Sequence, residues 1–94
     1  KVSFFNQLFD ICEKNGSDYS IVRQIITHDS RIGNSHTMVP GLDGERGFGG
    51  SCFPKDTKAF VQYSNTIEAP FDILNKVIEY NKKVRKMPWL LSKT

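Results

Sequence analysis

The sequence has little of the chemistry that binds structural metals or forms disulfide scaffolds. It contains two cysteines, Cys12 and Cys52, and two histidines, His28 and His36. Their spacing includes none of the close ligand pairs typical of zinc sites, so we expect no metal. Two cysteines are also too few to stabilise a small secreted domain. The composition therefore favours a reducing, cytoplasmic location.

Long apolar runs are absent as well. No stretch of about 18 apolar residues occurs, so we expect neither a membrane-spanning helix nor a membrane partner. The first residues lack the pattern of a signal peptide, and an initiator methionine is missing. We interpret residues 1–94 as one domain, a piece of a longer protein. A chain of this size can bury a modest core, roughly 60–65% of its extended surface.

No segment shows a convincing strand pattern, and the apolar periodicity predicts helices instead. Residues 2–15 carry apolar side chains at helical spacing, and Gly16 is placed to end that helix in a left-handed conformation. Ser17 or Asp18 can cap a second helix, which should stop near residues 27–29. The apolar positions expected on these two helices are Phe5, Leu8, Phe9, Cys12, Ile21, Val22, Ile25 and Ile26.

Two further helices are predicted in the second half. The third should begin at Pro54 and break at residues 64–66. The fourth should begin at Pro70, with Asp72 in its first turn, and Pro88 should kink or end it. Its expected buried stripe is Phe71, Leu74, Val77, Ile78 and Val84. The fold class is thus all-α, with about four helices.

Residues 29–53 form a long loop between the second and third helices. It holds six of the seven glycines together with Pro40. Loops of this length in small domains are usually functional or disordered. We therefore look for the functional site here.

Cys52 lies in this loop, within residues 47–56, GFGGSCFPKD. Pro54 suits the first position of a helix, which places Cys52 at or just before a helix N-terminus. The partial positive charge there stabilises a thiolate, the nucleophilic form of cysteine. Asp56 lies four residues further on, near enough to act as a base. The alternative is a small buried cysteine without chemistry, which is how we interpret Cys12.

Other residues of the loop have two interpretations each. Arg31 either grips a phosphate or is an ordinary exposed arginine. His28 and His36 are candidate partners of Cys52, as in cysteine hydrolases. The glycine cluster lacks the G-x-G-x-x-G spacing, so it is not by itself a dinucleotide fingerprint.

Charge and surface patterning leave further possibilities open. The net charge of +3 is uneven, because residues 1–51 carry −1 and residues 52–94 carry +4. Most of the excess lies in the last predicted helix, at Lys82, Lys83, Arg85 and Lys86. We interpret that run as a solvated helix end; the alternative is a nucleic-acid or phosphate patch. The adjacent Phe4 and Phe5 point to different sides of the first helix, so one is available to a partner subunit.

Four segments resemble one enzyme family. Residues 47–56 resemble the active-site signature of the UDP-glucose/GDP-mannose dehydrogenases. Residues 29–33, DSRIG, resemble the D-x-R-I-G segment of the UDP-glucose 6-dehydrogenases within it, and residues 1–6 and 11–13 resemble the family's central helix. The resemblance implies the central helical, dimer-forming domain, similar to the C-terminal domain of 6-phosphogluconate dehydrogenase, between a cofactor domain and a nucleotide-sugar domain.

The resemblance also implies a mechanism. Such enzymes oxidise the sugar C6 alcohol twice and use NAD. Cys52 would form a thiohemiacetal and then a thioester, and Asp56 would help to activate the water that hydrolyses it. Substrate would be bound by Gly47, Phe48 and Gly49, and by Arg31 reaching into the neighbouring subunit of a homodimer. Cys52, Phe53 and Lys55 would approach the cofactor.

The sequence departs from the family pattern in three places. Residues 34–46 form a longer segment than in better-known members. The K-x-x-x-N catalytic pair would lie upstream of Lys1, and the G-x-G-x-x-G motif is absent. We therefore expect this chain alone to be inactive. The resemblance of residues 29–33 implies oxidation of UDP-glucose to UDP-glucuronate; the alternatives are GDP-mannose or another nucleotide sugar as the substrate, or a non-catalytic helical dimerisation module.

Overall fold

The computed structural model describes residues 1–50 and 53–85, and these fold into helices joined by turns and one long loop. The helices are α1 Val2–Asn15, α2 Tyr19–Thr27, α3 Phe53–Thr66 and α4 Asp72–Val84. No strand occurs within the two described ranges, and the predicted all-helical fold is confirmed. Among the described residues, none of the helices has the length and apolar character needed to span a bilayer. The chain forms two compact units, Lys1–Arg46 and Gly47–Thr94.

The first unit is built on α1, whose bounds match the predicted helix. Gly16 ends α1 at φ 78°, and its N–H donates to the carbonyl of Cys12, as expected of a left-handed cap. Phe5 and Cys12 are each only 3% exposed and form the core with Tyr19. The prediction that Cys12 is a core residue is therefore confirmed. Phe4, by contrast, is 65% exposed.

Helix α2 starts where its capping residue allows. The Asp18 carboxylate accepts a hydrogen bond from the N–H of Ser20, at 2.9 Å, and so satisfies one of the unpaired donors of the first turn. The predicted apolar face is only half right. Val22 and Ile26 pack against the core, but Ile21 and Ile25 are exposed. The short helix turns Tyr19 and Thr27 inward instead, and this rotation leaves those two isoleucines outside.

A buried threonine anchors the long loop to α2. Thr37 is completely buried, and its carbonyl accepts a hydrogen bond from the Tyr19 hydroxyl at 2.6 Å. Its own hydroxyl accepts from the Arg23 guanidinium at 2.6 Å and donates to the carbonyl of Asn34 at 2.7 Å. Burial raises the pKa of Tyr19, because the charged phenolate is disfavoured there. Hydrogen bonds of Thr37 to Tyr19 and Arg23 thus hold the loop against α2.

The end of the loop is anchored to α1. The Arg46 guanidinium lies 2.8 Å from the Asp10 carboxylate and donates to the carbonyl of Asn6 at 2.9 Å. It also lies over the ring of Phe9, 5.0 Å from the centroid, a favourable cation–π geometry. These contacts fix Arg46, which is the last residue of the first unit and directly precedes the glycine-rich segment.

The second unit pairs α3 with α4, and its third helix departs from the prediction at both ends. It begins at Phe53, one residue before Pro54, and it runs through residues 64–66 rather than breaking there. The hydroxyls of Ser64 and Thr66 donate to carbonyls one turn back, at 2.7 and 2.6 Å, so they do not compete with the helix. The chain turns only beyond them, at Glu68, where φ is 60°.

Helix α4 begins two residues later than predicted. Its first residue is Asp72, because Phe71 rather than Pro70 occupies the capping position. Asp72 lies in the first turn as expected, where the helix dipole stabilises a carboxylate. The predicted stripe is half-buried at Leu74, Val77, Ile78 and Val84, whereas Phe71 is exposed and meets the Phe60 ring edge-on. The expected effect of Pro88 lies outside the described residues.

Candidate functional site

The glycine-rich segment of the signature is held by one side chain of α4. Asn81 is 9% exposed. Its carboxamide oxygen accepts a hydrogen bond from the N–H of Phe48 at 2.7 Å, and its carboxamide nitrogen donates to the carbonyl of Phe48 at 2.9 Å. Both backbone polar groups of Phe48 are therefore satisfied by one residue. The two peptide units flanking Phe48 are fixed against the helix.

The glycines on either side of Phe48 are required by close packing. At Gly47, where φ is +72°, an added Cβ would overlap the Asn81 carboxamide and press on Val84. At Gly49 an added Cβ would overlap the Arg85 guanidinium. The same guanidinium donates to the carbonyl of Gly47 at 3.4 Å. Helix α4 and the Arg85 that follows it thus approach the segment so closely that a side chain at Gly47 or Gly49 would have to displace Asn81 or Arg85.

The Phe48 side chain is buried as well. We call the two hydrogen bonds that join Phe48 to Asn81 the clamp. The Phe48 ring lies edge-on to that of Phe53, with centroids 5.1 Å apart, at the first residue of α3. A small cleft of about 150 Å³ adjoins it. The cleft is lined by Phe48, Pro54, Thr57, Lys58, Ile78, Asn81 and Lys82. The glycine segment is therefore supported by both helices of its unit.

The first turn of α3 carries the charged residues of the signature. Lys55 and Asp56 are 73% and 67% exposed in their side chains, and their charged groups are 3.9 Å apart. Both side chains are thus accessible to a ligand, and Asp56 lies where a carboxylate is favoured by the helix dipole. The candidate nucleophile Cys52 lies outside the described residues.

Arg31 belongs to the first unit. Its guanidinium donates to both oxygens of Asp29, with the shortest contact at 2.7 Å, and its N–H donates to the same carboxylate at 2.9 Å. These side-chain and backbone hydrogen bonds lower the pKa of Asp29, and the carboxylate raises the pKa of Arg31. The Arg31 side chain is 87% exposed, so the pair holds a solvent-facing cation in a defined position.

The remaining candidates are dispersed. His28 and His36 are exposed in the first unit, and Cys52 lies outside the described residues, so their pairing stays a sequence hypothesis. Lys82 and Lys83 are exposed in the last turn of α4, as expected of cations at a helix C-terminus. Arg85 instead turns towards the glycine segment. Within residues 1–50 and 53–85, no cluster of three or more potential metal ligands occurs.

Asn81 and Arg85 are the two residues that the sequence analysis missed as part of the site. A signal for Asn81 was present. It is an amide within the apolar stripe of α4, on the same face as Leu74 and Ile78, where an apolar residue would otherwise be expected. A buried polar side chain at such a position needs a partner. The sequence did not reveal that the partner was the backbone of Phe48.

The fold and the site define a helical domain that presents a glycine-rich segment beside the first turn of a helix. Comparison with known proteins identifies this class more closely. Residues 1–83 match the model of the UDP-glucose/GDP-mannose dehydrogenase family, central domain. The match covers most of the chain, which therefore belongs to this family.

Several curated relatives are similar to the chain. The UDP-glucose 6-dehydrogenases YwqF and TuaD of Bacillus subtilis (strain 168) are 42% and 45% identical, over 93% and 90% of this chain. The UDP-glucose 6-dehydrogenase of Rhizobium meliloti (strain 1021) is 36% identical over 86% of it. The aligned parts make up 19%, 17% and 17% of those relatives, so the chain spans about a fifth of their length.

Proposed function

We propose that this chain is the central domain of a longer, NAD-dependent UDP-glucose 6-dehydrogenase. The observation that carries the proposal is the match of residues 1–83 to the family's central domain, together with relatives named as UDP-glucose 6-dehydrogenases. Those names favour UDP-glucose over GDP-mannose as the substrate. A protein of this family would oxidise its sugar in the cytoplasm, and the chain alone would be inactive.

We assign the substrate contacts to the backbone of residues 47–49 and to the guanidinium of Arg31. Gly47, Phe48 and Gly49 would line the nucleotide-sugar site through their backbone, with the Phe48 peptides already fixed by Asn81. Arg31 would bind substrate in the neighbouring subunit of a homodimer. Its support is an exposed guanidinium held by Asp29, which is suited to a phosphate or a carboxylate.

The cofactor would approach the first turn of α3. Phe53 is 56% exposed and Lys55, two residues further on, is also exposed, so an aromatic ring and a cation are both available to a dinucleotide. NAD, when bound, would accept a hydride in each of two oxidations. Cys52, Phe53 and Lys55 are the residues of this chain that we assign next to it. The sequence contains no G-x-G-x-x-G dinucleotide-binding motif, so other parts of the full-length protein would hold most of the cofactor.

Cys52 would hold the substrate between the two oxidations. After the first, its thiolate adds to the aldehyde carbon, and the oxygen takes a proton, which gives a thiohemiacetal. Loss of a hydride and a proton from that adduct leaves a thioester. Asp56 would accept a proton from the water that attacks the thioester, which releases the carboxylate and regenerates the thiol. The exposed Asp56 carboxylate is compatible with this role.

The proposed homodimer has support on α1. Phe4 and Ile11, seven residues apart on one helix face, are 65% and 54% exposed. Apolar side chains of this size on one face are suited to contact with a second subunit. Sedimentation of the full-length protein should give a dimer, and a strictly monomeric protein would contradict the assignment of Arg31 to a neighbouring subunit.

The experiment that tests the proposed substrate is a comparison of nucleotide sugars with the full-length protein. We expect reduction of NAD with UDP-glucose at a kcat/KM at least about tenfold above that with GDP-mannose. Preference for GDP-mannose would contradict the proposed substrate and assign the protein to the GDP-mannose dehydrogenases of the same family. Absence of reduction with any nucleotide sugar would favour the non-catalytic helical module.

A further inference from the structure

Asn81 stands out because it is a buried polar residue whose carboxamide oxygen and nitrogen both form hydrogen bonds with the backbone of one other residue. It is 9% exposed, and its carboxamide pairs with both the N–H and the carbonyl of Phe48. A side chain that forms hydrogen bonds with both the backbone N–H and the carbonyl of one residue fixes two successive peptide planes. Hydrogen bonds of this kind are hard to replace, because a lost partner leaves a buried backbone group unsatisfied.

The residues that Asn81 fixes are the ones with the greatest freedom. Phe48 lies between Gly47 and Gly49, and glycine loses more conformational entropy on ordering than any other residue. Without a restraint, the segment would have to be ordered by the ligand, at a cost in affinity. Asn81 supplies that restraint before binding.

The position of Asn81 on α4 favours a role beyond packing. It occupies the half-buried stripe formed with Leu74, Ile78 and Val84, where a leucine would bury more apolar surface. The amide is explained by its two contacts with Phe48 rather than by the helix. The glycines add to this, since Gly47 has no room for a Cβ against the Asn81 carboxamide.

We propose that Asn81 is a positioning residue that holds residues 47–49 in their ligand-binding conformation. The inference rests on the proposed function, because it takes the backbone of these residues as part of the nucleotide-sugar site. Asn81 would touch no reacting atom. Its effect would reach the substrate through the two peptide units that flank Phe48.

The test compares two substitutions in the full-length protein. Asn81→Ala removes the hydrogen bonds and leaves a cavity, whereas Asn81→Leu keeps the branched shape and the number of heavy atoms and removes the hydrogen bonds without leaving a cavity. We expect both variants to raise the KM for UDP-glucose about tenfold, which corresponds to about 1.4 kcal/mol. The KM for NAD should stay within about twofold, since the two hydrogen bonds of Asn81 are made with Phe48, in the segment assigned to the nucleotide sugar.

Two matched variants control for helix and stability effects. Asn75→Ala removes an exposed asparagine from the same helix, and Val61→Ala weakens the core of the same unit. Both should keep the wild-type KM for UDP-glucose, although Val61→Ala lowers the melting temperature. A wild-type KM in Asn81→Leu would overturn the proposal, and so would an equal rise of KM in Val61→Ala.

Hydrogen exchange at the Phe48 amide keeps the inference separate from the proposed function. In Asn81→Ala and Asn81→Leu this amide should exchange at least about tenfold faster than in the wild type, because its acceptor is gone. Unchanged exchange would contradict the positioning role whatever the enzyme's substrate. A wild-type protein inactive on UDP-glucose, with fast exchange in the variants, would overturn the assigned substrate and leave the clamp supported.

Discussion

Two glycines of the signature differ in what a side chain would meet. Gly47 has φ +72° and faces the hydrogen-bonded Asn81 carboxamide, whereas Gly49 faces the end of the flexible Arg85 side chain. A new methyl group can push aside the end of a long, flexible side chain, but it cannot displace the Asn81 carboxamide without loss of its two hydrogen bonds to Phe48. The structural requirement for glycine is therefore stricter at Gly47.

We predict that Gly47→Ala lowers stability by about 1–3 kcal/mol, because it adds backbone strain to the clash. Gly49→Ala should cost about 1 kcal/mol or less, since the Arg85 guanidinium can move aside. Thermal unfolding of the two full-length variants measures the difference. Equal costs, or a larger cost at Gly49, would show that the clamp is less rigid than the structure indicates.

Arg31 is predicted to act on substrate rather than on stability. An exposed ion pair such as Arg31–Asp29 contributes little to folding, so Arg31→Ala should leave the melting temperature unchanged. The KM for UDP-glucose should rise about tenfold, because a charge-assisted contact is lost. Lys76→Ala, which removes an equally exposed cation from α4, is the control. An unchanged KM in Arg31→Ala would contradict the proposed cross-subunit contact.

The sequence predicted the chemistry of single residues better than their partners. Cys12 was assigned to the core from helical spacing alone, and Gly16 was assigned to the cap from its conformational freedom; both are confirmed. Asn81 was not found, because its partner is a backbone group 33 residues away. Side-chain patterns report which face of a helix is buried, but not what backbone lies against it.

At the scale of elements, helix ends were less predictable than helix positions. Proline suggested starts at Pro54 and Pro70, but α3 begins at Phe53 and α4 at Asp72. Proline is tolerated near a helix start without defining it. Residues 64–66 looked like a break because serine and asparagine favour turns, yet Ser64 is buried and bonds back to Val61 within the helix.

The anchoring of the long loop gives a prediction for α2. Tyr19→Phe removes the hydroxyl that donates to the buried carbonyl of Thr37, which should cost about 1–2 kcal/mol. Tyr63→Phe is the matched control, because that tyrosine is 60% exposed and should have no measurable effect. Thermal unfolding of both variants tests this. Equal stability of the two would show that the Tyr19 hydroxyl does not hold the loop.

The same tyrosine predicts a pH dependence. Burial raises the pKa of Tyr19 in the folded state, so the folded protein holds this proton more tightly than the unfolded chain does. Its contribution is fully present below the ordinary tyrosine pKa of about 10 and is lost as the pH rises through the raised value. The stability gap between wild type and Tyr19→Phe should therefore shrink above about pH 10. A gap that widened there would contradict the assigned direction.

At the scale of the molecule, our proposal makes the chain one part of a larger site. It spans about a fifth of its curated relatives, and its sequence has no dinucleotide fingerprint. Its proposed contributions are a nucleophile, a general base and a fixed binding segment. Family and fold class followed from residues 47–56 and from helical periodicity. The contacts that Asn81 makes within the second unit, and that Arg46 makes within the first, required the structure.

Removal of the proposed nucleophile should separate chemistry from folding. In the full-length protein, Cys52→Ser should lower the rate of UDP-glucuronate formation at least about a hundredfold with little change in the melting temperature. Cys12→Ala removes the other thiol and should do the opposite, since Cys12 is buried in the core: lower stability with retained turnover. Wild-type turnover in Cys52→Ser would refute the covalent role.

The central claim is that one protein carries a sugar through two oxidations, the second of them while the sugar is bound covalently to Cys52. The most direct measurement is the yield of NADH per UDP-glucose, with the sugar limiting and the full-length wild-type protein in the presence of excess NAD. Our account predicts two NADH per UDP-glucose and UDP-glucuronate as the product. A yield of one NADH with release of the aldehyde, or no NADH at all, would contradict it.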